Sequence, residues 1–375
     1  MDLDFTDEQE MLRETVRGVC EKHASLAVVR EVEDDPIGYP DSFWTQLADL
    51  GLLGLTIPEE YDGSAMSMLD AAVVYEEFGR ALAPSPHFVS SVLCGGVLER
   101  AGDDMQRGQW LPRIASGEDI LTPAWLEPDG GFGPRGVQLR AETDGNSFVL
   151  SGTKRHVRFA KAAEAFIVLA RTGPTPSDVD LFVVHHDATG ITLTQQMTIA
   201  SDTQYRVDFD SVRVPASARI GAAGSGWDTW DATMRDGIIL LAAFAMGGAS
   251  YALDITVQYA KDRHQFDKPL GAFQALAHYL ADAKCAVDGG RTLVWEAAWA
   301  RDSRRPTDRL APMAKLFATQ TFRDVTAMAQ QIFGGVGFTV DYDIQLYFRR
   351  AKALQLDWWD TRYLEELVAA SVLEA

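Results

Sequence analysis

Cysteine is scarce in this chain. Only Cys20, Cys94 and Cys285 occur in 375 residues, far apart and outside any metal-ligand spacing. That argues against a disulfide framework or a thiolate metal centre, and a reducing cytoplasm is the expected setting. Positive charge is also short, with 34 lysines and arginines against 54 acids and a formal charge of −20. Such a surface repels phosphate backbones, so no nucleic-acid partner is expected. The opening residues, Met1-Asp2-Leu3-Asp4-Phe5, hold neither a basic n-region nor an apolar h-region, so no signal peptide is expected. The long apolar run from Ile238 to Leu253 falls short of the ~20 residues that cross a bilayer. Its small residues (Ala242, Ala243, Ala245, Gly247, Gly248 and Ala249) suit close helix packing, so a buried central helix is expected and no membrane span. No GxGxxG follows a strand, no P-loop is present, and no His, Cys, Asp or Glu cluster has metal-ligand spacing.

What is present is a change of period along the chain. With 47% hydrophobic residues the chain can bury a large core, and its length suggests two or three domains. Residues 1–118 read as helices. Thr6 and Gln9 form a capping box, with Met11, Leu12, Val16 and Val19 following at helical spacing. Further helices are expected from Asp41 to Gly51 and from Leu69 to Leu82. Residues 119–227 switch to short alternating runs, with Asp144-Gly145-Asn146 as a hairpin turn between Gln138–Ala141 and Phe148–Leu150. Gly221 to Gly226 reads as a link. Residues 228–375 return to helices, over 273–302, 307–333 and from Thr361. The class is α+β: an N-terminal helical domain, a central antiparallel β-domain and a C-terminal four-helix bundle.

Two blocks in the last third carry chemistry. Arg263 presents a planar, permanently charged fork suited to a pyrophosphate, although a lone arginine there equally serves a helix C-terminus. Gln331 precedes Gly334-Gly335-x-Gly337, where glycines admit close backbone approach or simply make a turn. Their surroundings narrow the choice. Tyr259-Ala260-x-x-Arg263-x-Gln265-Phe266-x-x-Pro269-Leu270 and Gln331-Ile332-Phe333-Gly334-Gly335-Val336-Gly337-Phe338 closely resemble signatures of the acyl-CoA dehydrogenase family. The resemblance extends along essentially the whole chain. It implies that Arg263, Gln265, Phe266, Gln331, Gly334 and Gly335 contact the FAD of an adjacent subunit. Asp267 stands where the family usually has glycine, a departure expected to alter the turn.

Other family residues are missing. The family's Thr-Glu-Pro-x-x-Gly-Ser-Asp reads Leu126-Glu127-Pro128-Asp129-Gly130-Gly131-Phe132-Gly133 here. Its Gly-x-Lys-x-Trp-Ile-Thr-Asn reads Gly152-Thr153-Lys154-Arg155-His156-Val157-Arg158-Phe159. The resemblance therefore implies four lost flavin contacts, at Leu126, Phe132, His156 and Arg158. α,β-Desaturation also needs a carboxylate to take the α-proton while hydride leaves the β-carbon. The two places where the family keeps its glutamate align with Gly237 and Trp358, so no catalytic residue is assigned. The nearby acids are Asp236, Asp357 and Asp360.

The resemblance thus implies a non-catalytic subunit of an α2β2 acyl-CoA dehydrogenase. Such a subunit completes an FAD shared with a homologous catalytic partner, with an acyl-CoA substrate and an electron-transfer flavoprotein as the family's usual acceptor. Actinobacterial enzymes for steroid side-chain CoA thioesters are built this way, and the end at Ala375 resembles theirs. Two alternatives stand beside it: a homomeric flavoenzyme for a bulky acyl-CoA with a relocated aspartate base, and a binding protein without redox chemistry.

Overall fold

A computed structural model describes residues 5–373; the readings made on Met1–Asp4 and on the end at Ala375 fall outside them. The helices are α1 (Asp7–His23), α2 (Leu26–Glu31), α3 (Asp41–Asp49), α4 (Met68–Ala81), α5 (Gly95–Ala101), α6 (Asp104–Ala115), α7 (Gly226–Asp262), α8 (Gln274–Asp302), α9 (Leu310–Phe333), α10 (Ile344–Leu356) and α11 (Thr361–Leu373). The large sheet holds β1 (Leu121–Ala124), β2 (Arg140–Asp144), β3 (Ser147–Arg158), β4 (Ala165–Arg171), β5 (Val179–His185), β6 (Ile191–Gln196), β7 (Gln204–Pro215) and β8 (Arg219–Ile220). A small hairpin adds β9 (His264–Gln265) and β10 (Lys268–Pro269). This is the helices, sheet, helices order that the sequence predicts.

The chain divides into two compact units. The first comprises the chain up to Val29, Ser67–Ala83 and everything from Ile238 onward. The Thr6–Gln9 capping box forms as expected, each backbone N–H donating to the other's side chain at 3.2 Å. A second box, Ser67 with Asp70, starts α4. Within this unit α7 and α4 meet backbone to backbone. A Cβ on Gly247 would lie 1.8 Å from Glu76 O, and one on Gly79 would lie 1.8 Å from Phe244 O. The small residues of the apolar run therefore serve a helix crossing, and α7 is its core helix. By length and composition α7 could cross a membrane, but 72% of its most apolar window is buried inside the protein. Adjacent carboxylates on α4 brace the neighbouring helices. Glu76 pairs with Arg291 of α8 at 2.6 Å, and Glu77 accepts both Arg17 Nε and Nη2 of α1, at 2.9 and 2.7 Å.

The second unit comprises Arg30–Met66 and Pro84–Gly237. Its sheet runs β6-β7-β3-β2-β4-β5-β8, with β1 also on β4. Most pairings are antiparallel, but β1 and β2 both lie parallel to β4. A parallel neighbour needs a long crossover, and the β2–β3 hairpin supplies it by separating β1 from β4 in sequence. That hairpin turns at Gly145, φ 62°, with Asp144 opposite Ser147. Ahead of the sheet, Phe88–Cys94 forms a π-helical stretch, beyond the last N-terminal helix the sequence predicts, which ends at Leu82. Ile344–Leu356 is likewise a helix to which that reading assigns no element.

Candidate functional site

The Arg263 block ends α7 in a tight hairpin. Gln265 pairs with Lys268 and His264 with Pro269, leaving Phe266 and Asp267 as a two-residue loop at φ 53° and 64°. Both central residues at positive φ make a type I′ turn. Asp267 takes the left-handed conformation itself, which short polar side chains adopt more readily than most. Phe266 has no such help, and a left-handed residue with a Cβ is disfavoured by roughly 1–2 kcal/mol. Its ring is 85% exposed. Arg263 is exposed, and among the described residues its guanidinium has no hydrogen-bond or ion-pair partner.

The Gln331 block lies at the same end of the helices. Tyr259, from the last turn of α7, stacks on Phe333 at the end of α9, with ring centroids 4.2 Å apart and 15° between planes. The helix then breaks at Gly334, whose φ of 66° with ψ of −141° suits glycine alone. A Cβ on Gly334 or Gly335 would meet nothing within 4 Å, so both present bare backbone. Gln331 is exposed, and Phe338 and Val340 beyond it are 74% and 76% exposed. The Tyr259–Phe333 stack thus joins two blocks some 70 residues apart in sequence, which between them carry an unpaired cation, open glycines and exposed aromatics.

The middle-domain positions are closed by comparison. Strand β3 bulges against β7 between Lys154 and Val157, and His156 sits in the bulge at φ 55°. Its backbone N–H donates to Gln196 Oε1 at 2.9 Å, and its Nδ1 lies 2.8 Å from Gln204 Oε1. Gln204 Nε2 donates to Asp202 at 2.9 Å, Thr198 Oγ1 donates to Asp202 at 2.5 Å, and Arg158 forms an ion pair with Asp202. His156 and Arg158 are therefore tied into one polar network rather than aimed at open space. Phe132 lies 6.0 Å from Trp125, which in turn packs on Trp230. A flavin ring held through hydroxyls and a shielding indole does not fit these residues.

The surviving letters of the same motifs have a structural reason to persist. Lys154 Nζ donates to Glu127 at 2.7 Å and to Trp125 O at 3.2 Å, fully buried. Glu127 also accepts from the backbone N–H of Gln138 and Leu139. Burial pushes the Lys154 ammonium down to about 8 against the opposing pull of Glu127. Removing either partner would strand a buried charge, so the pair holds the loop whether or not a flavin is bound. The motif letters Glu-Pro and Gly-x-Lys carry that signal in the sequence; Gln196, Asp202 and Gln204 carry none.

The base positions are also occupied. A Cβ on Gly237 would meet the Leu93 side chain at 3.0 Å and the Phe88 ring at 3.3 Å, so a longer side chain there requires both to shift. Asp236 forms an ion pair with Arg100. Trp358 and Trp359, at φ 52° and 70°, are 5% and 0% exposed. Lys315 on α9, unnoticed in the sequence, clamps this segment by donating to Leu354 O, Asp357 O and Trp359 O at 3.3, 2.9 and 2.8 Å. Burial lowers its pKa to about 7, with Asp357 and Asp360 opposing. Asp360 caps α11, accepting from Tyr363 N at 2.9 Å. A cleft of about 200 Å³ lined by Arg17, Glu77, Arg80, Tyr251 and Tyr347 contains none of the expected site residues. Among the described residues no cluster could hold a metal.

Comparison with known proteins decides the family. Models of the acyl-CoA dehydrogenase N-terminal, middle and C-terminal domains match residues 6–118, 123–212 and 224–357. The chain belongs to the acyl-CoA dehydrogenase family. It is 32% identical to the "Probable acyl-CoA dehydrogenase YngJ" of Bacillus subtilis (strain 168), over 100% of both chains. Among solved structures it resembles butyryl-CoA dehydrogenase from Megasphaera elsdenii, with TM-score 0.92 and 27% identity over 100% of both chains. It also resembles a chain of the ChsE4-ChsE5 complex from Mycobacterium tuberculosis, with TM-score 0.90 and 27% identity over 100% of both. A Tcur3481-Tcur3483 steroid ACAD variant gives TM-score 0.87 and 30% identity over 98% of both. Family members are oxidoreductases that normally bind FAD.

Proposed function

We propose that this chain is the non-catalytic subunit of a heteromeric acyl-CoA dehydrogenase, in which it completes the FAD site of a homologous catalytic partner in an α2β2 assembly. The observation that carries the reading is the contrast between two regions. The middle-domain residues His156 and Arg158, at positions where the family resemblance implies ring contacts, are engaged with Gln204 and Asp202. Arg263, Gln265, Phe266, Gln331 and Gly335 are exposed, Gly334 is half-buried, and the Arg263 cation is unpaired among the described residues. On this reading Arg263 binds the partner's pyrophosphate, and the bare backbone of Gly334 and Gly335 lets the ADP half approach closely. Bound FAD supplies the hydride acceptor for α,β-desaturation of a CoA thioester.

The catalytic base belongs to the partner. Gly237 and Trp358 offer none, Asp236 is neutralised by Arg100, and Asp360 is engaged as a helix cap. Those grounds disfavour a homomeric enzyme with its base at Asp236 or Asp360, and leave half-buried Asp357 as the acid such an enzyme would use. The likeness to a chain of a two-protein complex and to a steroid ACAD supports a heteromeric enzyme acting on a bulky, steroid-type acyl-CoA. An electron-transfer flavoprotein is the proposed acceptor, and the cytoplasm the proposed location.

The test is the visible flavin spectrum of the chain purified alone and after co-expression with a family member that retains the flavin-contacting motifs. The lone chain is expected to be colourless and the complex yellow, with one flavin per pair of chains. Arg263→Ala is expected to bleach the complex. A yellow lone chain with one FAD per subunit would overturn the reading.

A further inference from the structure

The cleft between α1, α4, α7 and α10 holds none of the residues proposed to meet a flavin. It encloses about 200 Å³, and every residue that lines it lies in the first unit. Sites for drug-sized ligands begin at roughly 300 Å³, so neither a flavin nor an acyl-CoA fits. Its floor is apolar and aromatic: Cys20, Ala24 and Tyr347 are buried, and the Tyr347 ring lies 5.2 Å from that of Tyr251. The cations in its wall are already engaged. Arg17 donates twice to Glu77, while Arg80 pairs with Asp254 at 3.0 Å and lies 5.0 Å over the Tyr251 ring. The Tyr347 hydroxyl donates to Arg80 O at 2.5 Å. Two lining groups are left over. Among the described residues, neither the Glu21 carboxylate nor the Tyr251 hydroxyl has a hydrogen-bond or ion-pair partner.

Several groups together set the sign of charge in the cleft. Helices α1 and α4 both end beside it, at His23 and Ala81, and a helix C-terminus carries partial negative charge. Burial raises the Tyr251 phenol, and Asp343, Asp254 and Glu21 raise it further against the pull of Arg80. The Cys20 thiol is raised by burial and then by Glu77 and Glu21. We infer that this cleft binds a small organic ammonium ion, which donates to Glu21 and to the Tyr251 oxygen and lays a short apolar tail over Ala24 and the Tyr347 ring. A bare divalent ion is a poor match, because it demands a shell of oxygens that an apolar floor does not supply. A carboxylate of the same size is repelled by the unpaired acid at the rim.

The experiment is a saturation-transfer NMR titration of the full chain with n-butylammonium, and with butyrate as its size-matched anion, at about 0.15 M salt so that diffuse surface attraction is screened. Butylammonium is expected to bind saturably and butyrate to give no saturable signal. Glu21→Lys, an exposed change on α1 that sets a cation over the cleft, is expected to raise the Kd for butylammonium about tenfold. Tyr251→Phe, which removes the accepting oxygen and keeps the ring, is expected to raise it about threefold. Glu14→Lys makes the same charge change at an exposed position of α1 outside the cleft and is expected to leave Kd unchanged. Absence of saturable butylammonium binding, or butyrate binding as tight, overturns the inference. So does a Glu14→Lys effect equal to that of Glu21→Lys, which would reduce the binding to the general acidity of the chain.

Discussion

Single buried groups in this chain are matched closely to the acceptors around them. Lys315 has three ammonium protons and three carbonyls to receive them, which is why a lysine can be fully buried without a carboxylate bonded to it. His87 is the neutral counterpart. It is buried, with Nε2 2.9 Å from Leu52 O, and burial pushes its pKa down to about 4 although that bond partly opposes the shift. The unfolded chain takes a proton near pH 6.5 while the folded chain refuses it until about pH 4. This contribution is fully present above pH 6.5 and is lost as pH falls toward 4. A gap of that size corresponds to about 3 kcal/mol. His87→Gln keeps a donor for Leu52 but cannot titrate. Urea unfolding at pH 7 and pH 4.5 should show the native chain losing about 2–3 kcal/mol more than the variant.

At the level of elements, the crossing of α4 and α7 is the most demanding packing feature of its unit. Gly247 has no room for a methyl group, because the obstacle is backbone (Glu76 O) rather than a mobile side chain. Gly247→Ala is therefore expected to destabilise that unit by about 3 kcal/mol or more. Gly289 on α8, around which a Cβ would meet nothing within 4 Å, is the control. Gly289→Ala should be neutral or stabilising by about 0.5–1 kcal/mol through helix propensity and unfolded-state entropy. Thermal unfolding of both variants checks the pair. The crossing was legible as a run of small residues, because close helix approach demands them. The π-helical stretch at Phe88–Cys94 and helix α10 were not, since neither sits in an isolated periodic run.

Across the molecule, the positions where the family resemblance implies flavin-ring contacts are tied into a polar network, while the Arg263 guanidinium is exposed and, among the described residues, unpaired. The closed region should not reopen through a few reversions, because each network member answers several others. A His156→Trp, Arg158→Thr double variant takes the imidazole from Gln204 and the guanidinium from Asp202 and leaves Leu126 and Phe132 in place. Purified alone, it is expected to remain without visible flavin absorbance and to unfold at lower temperature than the native chain. A yellow double variant would mean that the network, and not the whole site, was the barrier.

The sequence by itself determined the order of helices, sheet and helices, the family, and the two glycine- and arginine-bearing blocks. Those follow from local period, turn chemistry and short motifs, all of which act between near neighbours along the chain. Only the tertiary structure decided that His156 and Arg158 are bound to Gln204 and Asp202. It alone placed Gly237 against Phe88 and Leu93 and joined the two blocks through the Tyr259–Phe333 stack. The physical reason is that these are contacts across tens to more than a hundred residues of chain. Whether a polar side chain faces a ligand or a neighbour is settled by what folding brings beside it.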